Sequence, residues 1–183
     1  MAGILTVTFS AGAYGDWQIQ RTTSVTGESL PTARRLSISE AAAVNNGYTW
    51  QLRGVVSNPR YSTAVELKQL AAVSPPLGRP EARVAALIPI KKSDAWWTMA
   101  QDERRAIFEE SSQHISRSMN HLPAVARRLH HSRDLGEPFD FLTWFEYAAQ
   151  YADSFETLVS ELRTTEEWKY VEREVDVRLV RGY

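Results

Sequence analysis

The sequence predicts an α+β fold, and three observations carry that prediction. From residue 82 to residue 180 the hydrophobic period switches between strand and helix in the order β-α-β-β-α-β. The first 78 residues carry three strand-like stretches and one helix, and "SPPLGRPE" (74–81) separates the halves with three prolines and a glycine. The β-α-β-β-α-β order is that of a ferredoxin-like unit, and the first half reads as a truncated version of it. Residues 1–78 and 79–183 are then two halves of one structural domain, whose sheets can combine into a barrel-like core.

Each element has its own warrant. "ILTVTF" (4–9), "DWQIQRTT" (16–23) and "TWQLRGVVS" (49–57) are rich in β-branched and aromatic residues, partly alternating, with Gly, Ser, Asn and Pro between them. We read the first as an edge strand. "NPRYSTAVELKQLAAVSPPLG" starts with a proline, places Val65, Leu67, Leu70 and Val73 along a helix, and stops at Pro75 and Pro76. "ARVAALIPI" (82–90) is continuously apolar, the pattern of a strand covered on both faces. "TMAQDERRAIFEESSQHISRSM" (98–119) reads as one helix, with Thr98 and Gln101 at capping-box spacing, Ile107, Phe108, Ile115 and Met119 on a stripe, and an end at Leu122-Pro123.

The remaining elements follow the same logic. "AVARRLHH" alternates Val125, Arg127, Leu129 and His131 against Ala126, Arg128 and His130, and pairs as a hairpin with the aromatic "FDFLTWFEY". "AAQYADSFETLVSELRTTEEW" is a second amphipathic helix, and "EREVDVRLV" alternates as a closing strand.

Composition narrows the function. Lysine and arginine number 21 against 22 acids, a net charge of -1, so no general field draws the chain to nucleic acid or to an anionic membrane. A small molecule or another protein chain is the expected partner. Cysteine is absent, which removes disulfides, thiolate metal sites and cysteine nucleophiles, and fits a reducing compartment. No basic residue precedes Arg21, and no run approaches the roughly 18 apolar residues of a membrane span, so a cytoplasmic location is expected.

The four histidines, His114, His121, His130 and His131, all fall between residues 109 and 134. None is spaced i, i+3 or i+4 from another as helical ligands are, or i, i+2 as strand ligands are, so a metal site made of protein side chains alone is not expected. His114 differs from the others in its setting. Ser111, Ser112, Gln113 and Ser116 leave room around it for a bulky ligand, and a single neutral imidazole is what a haem iron takes on its proximal side. A surface histidine remains the alternative. Arg127 shares a strand face with Val125 and Leu129, which projects a guanidinium from an apolar surface, although pairing with a surface acid would serve as well.

"ALIPIKKSDAWWTMAQDERRAIFEESSQHISRSMNHLPAVARRLHHSRDLGEPFDFLTWFEYA", followed by "TTEEWKYVEREVDVRL", resembles the chlorite dismutases, and within them the short-chain, dimeric lineage. The likeness is near-continuous from residue 82 to residue 180 and extends more weakly into "WQLRGVVSNPRY". It implies a homodimeric α+β barrel with haem b as cofactor, an enzyme that decomposes chlorite to chloride and dioxygen. It implies, too, that the O–O bond forms at a ferryl haem while a distal arginine retains hypochlorite.

Residue by residue, the resemblance makes His114 the proximal iron ligand and Arg127 the distal arginine. Glu167 would accept a hydrogen bond from the far nitrogen of His114, and Lys92 would lie near the proximal side and the haem propionates. Asn58 and Tyr61 match residues that hydrogen-bond the propionates. Ser74 stands where the short lineage often carries a glutamine that restrains the arginine, so a more mobile Arg127 is expected here. His121, His130 and His131 have no role in the pattern and read as surface or interface residues. Trp96, Trp97 and Trp144 read as pocket wall or core.

Two other functions fit the same fold. A coproheme decarboxylase would use a tyrosine in place of the arginine and is generally longer, and a haem carrier without turnover would keep His114 and could lose Arg127. Oxygen release from chlorite separates the three.

Overall fold

The structure is a computed structural model and describes residues 4–41, 47–56 and 61–182. Eight strands are present: β1 (Leu5–Gly12), β2 (Trp17–Thr26), β3 (Arg35–Ser39), β4 (Trp50–Val56), β5 (Val84–Lys92), β6 (Val125–His131), β7 (Phe141–Tyr147) and β8 (Val171–Arg181). They close into one antiparallel barrel in the order β1-β3-β2-β8-β5-β7-β6-β4. Each half of the chain contributes four neighbouring strands, β4-β1-β3-β2 and β6-β7-β5-β8, and the barrel closes at the β2–β8 and β4–β6 seams. Five α-helices lie outside the sheet: α1 (Ala64–Val73), α2 (Asp94–Thr98), α3 (Gln101–Arg105), α4 (His114–Met119) and α5 (Ala152–Arg163).

Strand alternation divides the apolar side chains between two cores. Val7, Phe9, Trp17, Leu36, Leu52, Leu87, Leu142, Trp144, Val175, Val177 and Leu179 fill the barrel. The other faces of β5, β6, β7 and β8 bury Ile88, Ile90, Val125, Phe145, Tyr147 and Val171 against Phe155, Leu158, Val159 and Leu162 of α5. Those four α5 residues follow i, i+3, i+4, i+7, the stripe of a helix laid on a sheet, and each contributes about 1.5–3 kcal/mol when fully buried. Because β5, β6 and β7 are covered on both faces, their outward side can form one wall of an enclosed site.

Four expectations need correction. The first half has four strands, since "RLSIS" (Arg35–Ser39) pairs with both β1 and β2; its five residues with two serines lack a strong strand signal. The N-terminal strand is not an edge, because β1 pairs with β3 on one side and β4 on the other. The helix expected over 98–119 is broken into α3, a π-helical stretch (Ala106–Ser111) and α4, with Gln113 in the left-handed region at φ 54°. Its cap is also different: Glu103 Oε2 accepts from the Ala100 N–H at 2.7 Å, while Thr98 bonds the Ala95 carbonyl.

The β4–β6 seam depends on one glycine. Among the described residues only Val55 and His131 pair there, and a Cβ on Gly54 would lie 2.5 Å from the His130 Cβ and 3.0 Å from Ser132 Oγ. Any side chain at 54 pushes the two halves apart. Gly54→Ala is therefore expected to lower unfolding stability by about 1–3 kcal/mol in urea denaturation, the usual cost of overpacking. Gly182→Ala, whose Cβ would meet nothing nearer than 3.7 Å, serves as the near-neutral control.

Candidate active site

The break in the helix places the histidine. In the π-helical stretch the Ser112 N–H bonds the Ile107 carbonyl at 3.1 Å, Gln113 turns left-handed, and α4 restarts with His114 as its first residue. Glu109 reaches forward to take the place of a helix cap, accepting the Ile115 N–H at 2.7 Å and the Ser116 N–H at 3.3 Å. Ser118 Oγ donates to the His114 carbonyl at 2.7 Å. His114 thus sits at the rigid start of a new helix, not late on a long one.

Its ring is held from one nitrogen. His114 Nδ1 donates to Glu167 Oε2 at 2.7 Å, and Nε2 has no hydrogen-bond partner among the described residues. Glu167 is buried, and its other oxygen accepts Lys92 Nζ at 2.8 Å, while its backbone N–H donates to Ser112 Oγ at 2.9 Å. Burial alone would push the Glu167 carboxyl up, but the charges and hydrogen bonds of His114 and Lys92 outweigh it and hold it at about 2, against an ordinary 4.5. Lys92 is pulled below the usual lysine range by its own burial, which Glu167 opposes. Its ammonium lies 4.3 Å from the centroid of the Trp96 ring, so an aromatic face takes part of its charge.

Aromatic rings surround this polar line. Phe108 stacks on the imidazole at 4.5 Å, Trp168 lies near-parallel to it at 6.3 Å, and Tyr61 packs edge-on against Trp96 at 5.9 Å. Tyr61 has a left-handed backbone, φ 66°, held by Arg105, which donates to its carbonyl and forms a two-pronged pair with Glu66 at 2.8 and 2.7 Å. Arg104 donates to the Tyr61 hydroxyl at 3.1 Å.

The facing wall is the outward side of the sheet. Ile90, Arg127, Leu129, His131, Phe141 and Thr143 line one cavity together with Tyr61, Lys92, Trp96, His114, Glu167 and Trp168. An adjoining cavity shares Ile90, Arg127, Thr143, His114 and Trp168 and continues along Ile88, Phe145, Leu158 and Glu174. The two form a flat apolar slot between helices and sheet. Arg127 has no hydrogen bond or ion pair with any described residue, and burial alone pushes its guanidinium down. A half-buried cation on an apolar wall is costly without a counter-charge, and no described carboxylate pairs with this one.

Five of the residues singled out in the sequence, His114, Glu167, Lys92, Arg127 and Tyr61, therefore line one cavity. Asn58 lies outside the described residues. Ser74 is exposed at the end of α1, its N–H on the Leu70 carbonyl, and does not line the slot. Two of the histidines expected at the surface are buried. His130 is inside the barrel with Nδ1 on the Leu142 carbonyl and is held down to about 4 by burial, and His131 lines the slot. Phe108, Thr143 and Trp168 were not anticipated; only the period-2 pattern of β7, which places Thr143 in line with Phe141 and Phe145, pointed to one of them.

The site of this closed α+β barrel brings a carboxylate-backed histidine and an arginine without an ion pair into one largely apolar cavity. Among the described residues no three His, Asp or Glu side chains are grouped to hold a metal ion by themselves. The comparisons with known proteins point to its family. Residues 19–181 match the family model described as chlorite dismutase. The crystal structure of dimeric chlorite dismutases from Nitrobacter winogradskyi is 56% identical, covering 96% of this chain and 99% of that one, with a TM-score of 0.90. A mutant chlorite dismutase from Candidatus Nitrospira defluvii shares the fold at 18% identity, covering 97% and 91%, with a TM-score of 0.68. The chlorite dismutase of Ideonella dechloratans is 33% identical over 88 residues, 48% of this chain and only 29% of that relative's length. The chain belongs to the chlorite dismutase family.

The charge on Glu167 ties the site to pH. Its folded-state value near 2 lies below the ordinary 4.5, so the stability it carries is complete above about 4.5 and is lost as pH falls toward 2. Urea denaturation at stepped pH should show that decline in the wild type. Glu167→Gln should make it shallower, with Glu66, also held at about 2 by Arg105, still contributing, and lower stability at neutral pH by roughly 3–5 kcal/mol, because Lys92 is then buried without its anion.

Proposed function

We propose that this chain is a haem b enzyme that decomposes chlorite to chloride and dioxygen. The observation that carries the reading is the pair of groups on facing walls of one slot: a histidine with a free Nε2, backed by a buried carboxylate, and an arginine without a partner. The donor set fits haem. One imidazole nitrogen is available, the slot walls are apolar, and the buried Trp96 Nε1–H, with no acceptor among the described residues, stands beside Tyr61 and Lys92 where a propionate would enter. Asn58 is assigned to the same propionates from the resemblance alone.

Haem b supplies the iron at which the chlorine–oxygen bond is broken and the dioxygen bond made. The protein's part begins with His114, which would donate Nε2 to that iron while Glu167 draws on its Nδ1 proton and raises its donor strength. Lys92 keeps Glu167 ionised and in place, and prevents it from taking the proton outright. Arg127 is charged at any working pH and offers chlorite, an anion, a binding contact in a dry cavity. The same guanidinium would hold a hypochlorite fragment within the slot, a proximity effect that favours recombination over escape. Ser74, exposed on α1, provides no restraint on that arginine, so it is free to swing between slot and entrance.

The strand order of each half, β4-β1-β3-β2 and β6-β7-β5-β8, supports reading the domain as two ferredoxin-like units, the first stripped of its crossover helices. The dimeric state named for the Nitrobacter winogradskyi structure supports a homodimer here. No described helix is long and apolar enough to cross a membrane, and with the missing cysteines this is compatible with the cytoplasmic location proposed.

Haem titration followed by an oxygen electrode tests the reading. The wild type should develop a Soret band at one haem per chain and release dioxygen from chlorite; a haem-loaded protein that releases none would sink it. His114→Ala should abolish tight haem uptake. Arg127→Ala should retain haem, lose roughly a hundredfold in kcat, the scale of removing one preorganised charge donor, and leak more hypochlorite to a chlorination trap.

A further inference from the structure

Glu174 is completely buried at the start of β8, far in sequence from the helices around His114, and takes no part in the chemistry proposed above. Its Oε2 accepts the indole N–H of Trp168 at 2.8 Å. Trp168 is the residue directly after Glu167, and its ring lies within 24° of the imidazole plane of His114 at 6.3 Å, as that of Phe108 lies within 25° at 4.5 Å. One dipeptide therefore supplies both the acceptor for Nδ1 of the histidine and a second plate beside its ring. The hydrogen bond restrains the imidazole but still lets it librate about the Cβ–Cγ bond. A plate limits that rotation only if the plate itself is fixed.

The carboxylate that fixes it is anchored in turn. Glu174 Oε1 accepts Arg163 Nε and Nη2 at 2.9 and 2.7 Å, and Arg163 Nη2 also reaches Asp176 Oδ2 at 2.9 Å. Asp176 pairs with Arg178, which grips Glu156 on the exposed side of α5. The chain of charges runs along the outward face of β8 at alternate positions 174, 176 and 178 and clamps α5 to the sheet. Its inner end is the indole N–H beside His114. Glu174 also lines the cavity that His114 and Arg127 share, but the hydrogen bonds of its carboxylate run to Trp168 and Arg163 and to neither of those two.

We infer that Glu174 is a positioning residue for His114, acting through Trp168: the buried carboxylate holds the indole, and the indole sets the orientation of the imidazole plane. The inference rests on His114 as the haem ligand. Glu174 acts only along this route, so its effect on the ligand disappears once the indole N–H is gone.

The test uses full-length protein loaded with haem, with Trp168→Phe as the deciding variant, because phenylalanine preserves a ring and removes only the donor. Haem affinity should fall about tenfold, as for other partners that orient a metal ligand, and the rhombicity of the ferric EPR signal should shift. Glu174→Gln, whose amide oxygen can still accept the indole N–H, should shift both less. The double variant should match Trp168→Phe alone in both readouts. A clamp that merely holds α5 to the sheet would lower the unfolding temperature and leave the EPR signal where it was. Unchanged affinity and EPR in Trp168→Phe would overturn the inference, as would a double variant in which the two effects add. A wild type that takes up no haem would overturn it together with the assignment of His114, whereas normal uptake with an unmoved spectrum overturns it alone.

Discussion

The buried line Lys92–Glu167–His114 is the constraint around which the rest of the site is arranged. Desolvating a carboxylate and an ammonium costs several kcal/mol each, and the attraction between them offsets that cost only when geometry is tight and the remaining hydrogen-bonding positions are filled. Here both Glu167 oxygens are taken, at 2.7 and 2.8 Å, and the lysine lies over an indole face. The three residues come from three different places: the end of β5, the start of α4 and a 3-10 turn (Glu166–Tyr170). Any one displaced leaves a buried charge uncompensated, so the line holds the helical layer to the sheet as firmly as it holds the histidine.

The helix break follows from the same constraint. A continuous helix from 101 to 119 would have kept the i to i+4 ladder but fixed His114 at whatever azimuth the stripe Ile107, Phe108 and Ile115 dictated. The π-helical stretch and the left-handed Gln113 reset that azimuth, at the cost of backbone bonds that Glu109 partly restores. Helix irregularity at a functional residue is the usual place for it. The barrel contributes the opposite wall with no such irregularity, because strict alternation along β6 puts Arg127 on the slot side and Arg128 and His130 on the barrel side.

That contrast explains what could be read in the sequence. The second half was legible almost strand by strand, since its period-2 and helical patterns are strong, and His114, Arg127, Glu167, Lys92 and Tyr61 line one cavity. Strand β3 escaped because "RLSIS" is short and half polar, and its place is set by pairing on both sides. The helix break escaped because neither proline nor glycine marks it; the cause is a tertiary demand on His114 and Glu109. His130 looked like a surface residue because a histidine beside an arginine on an alternating strand carries no sign of which face is the interior. Trp168 and Glu174 belong to that category too, since their partnership is between a 3-10 turn and a strand and has no spacing signature.

Arg127 inverts the logic of the first constraint. The fully buried cations of the outer layer are matched, Lys92 by Glu167 and Arg178 by Asp176, and Arg163 meets Glu174 and Asp176. Arg127, half-buried on an apolar wall of the cavity it shares with His114, has no such partner among the described residues, a state that an incoming anion would relieve. The destabilisation is local and falls on the free protein, and it reverses when a negative ligand enters. Evenly matched charges would have made a more stable slot with no preference for an anion; on the function proposed above, the unmatched arginine is what would separate a site for chlorite from a cleft that merely fits a flat cofactor.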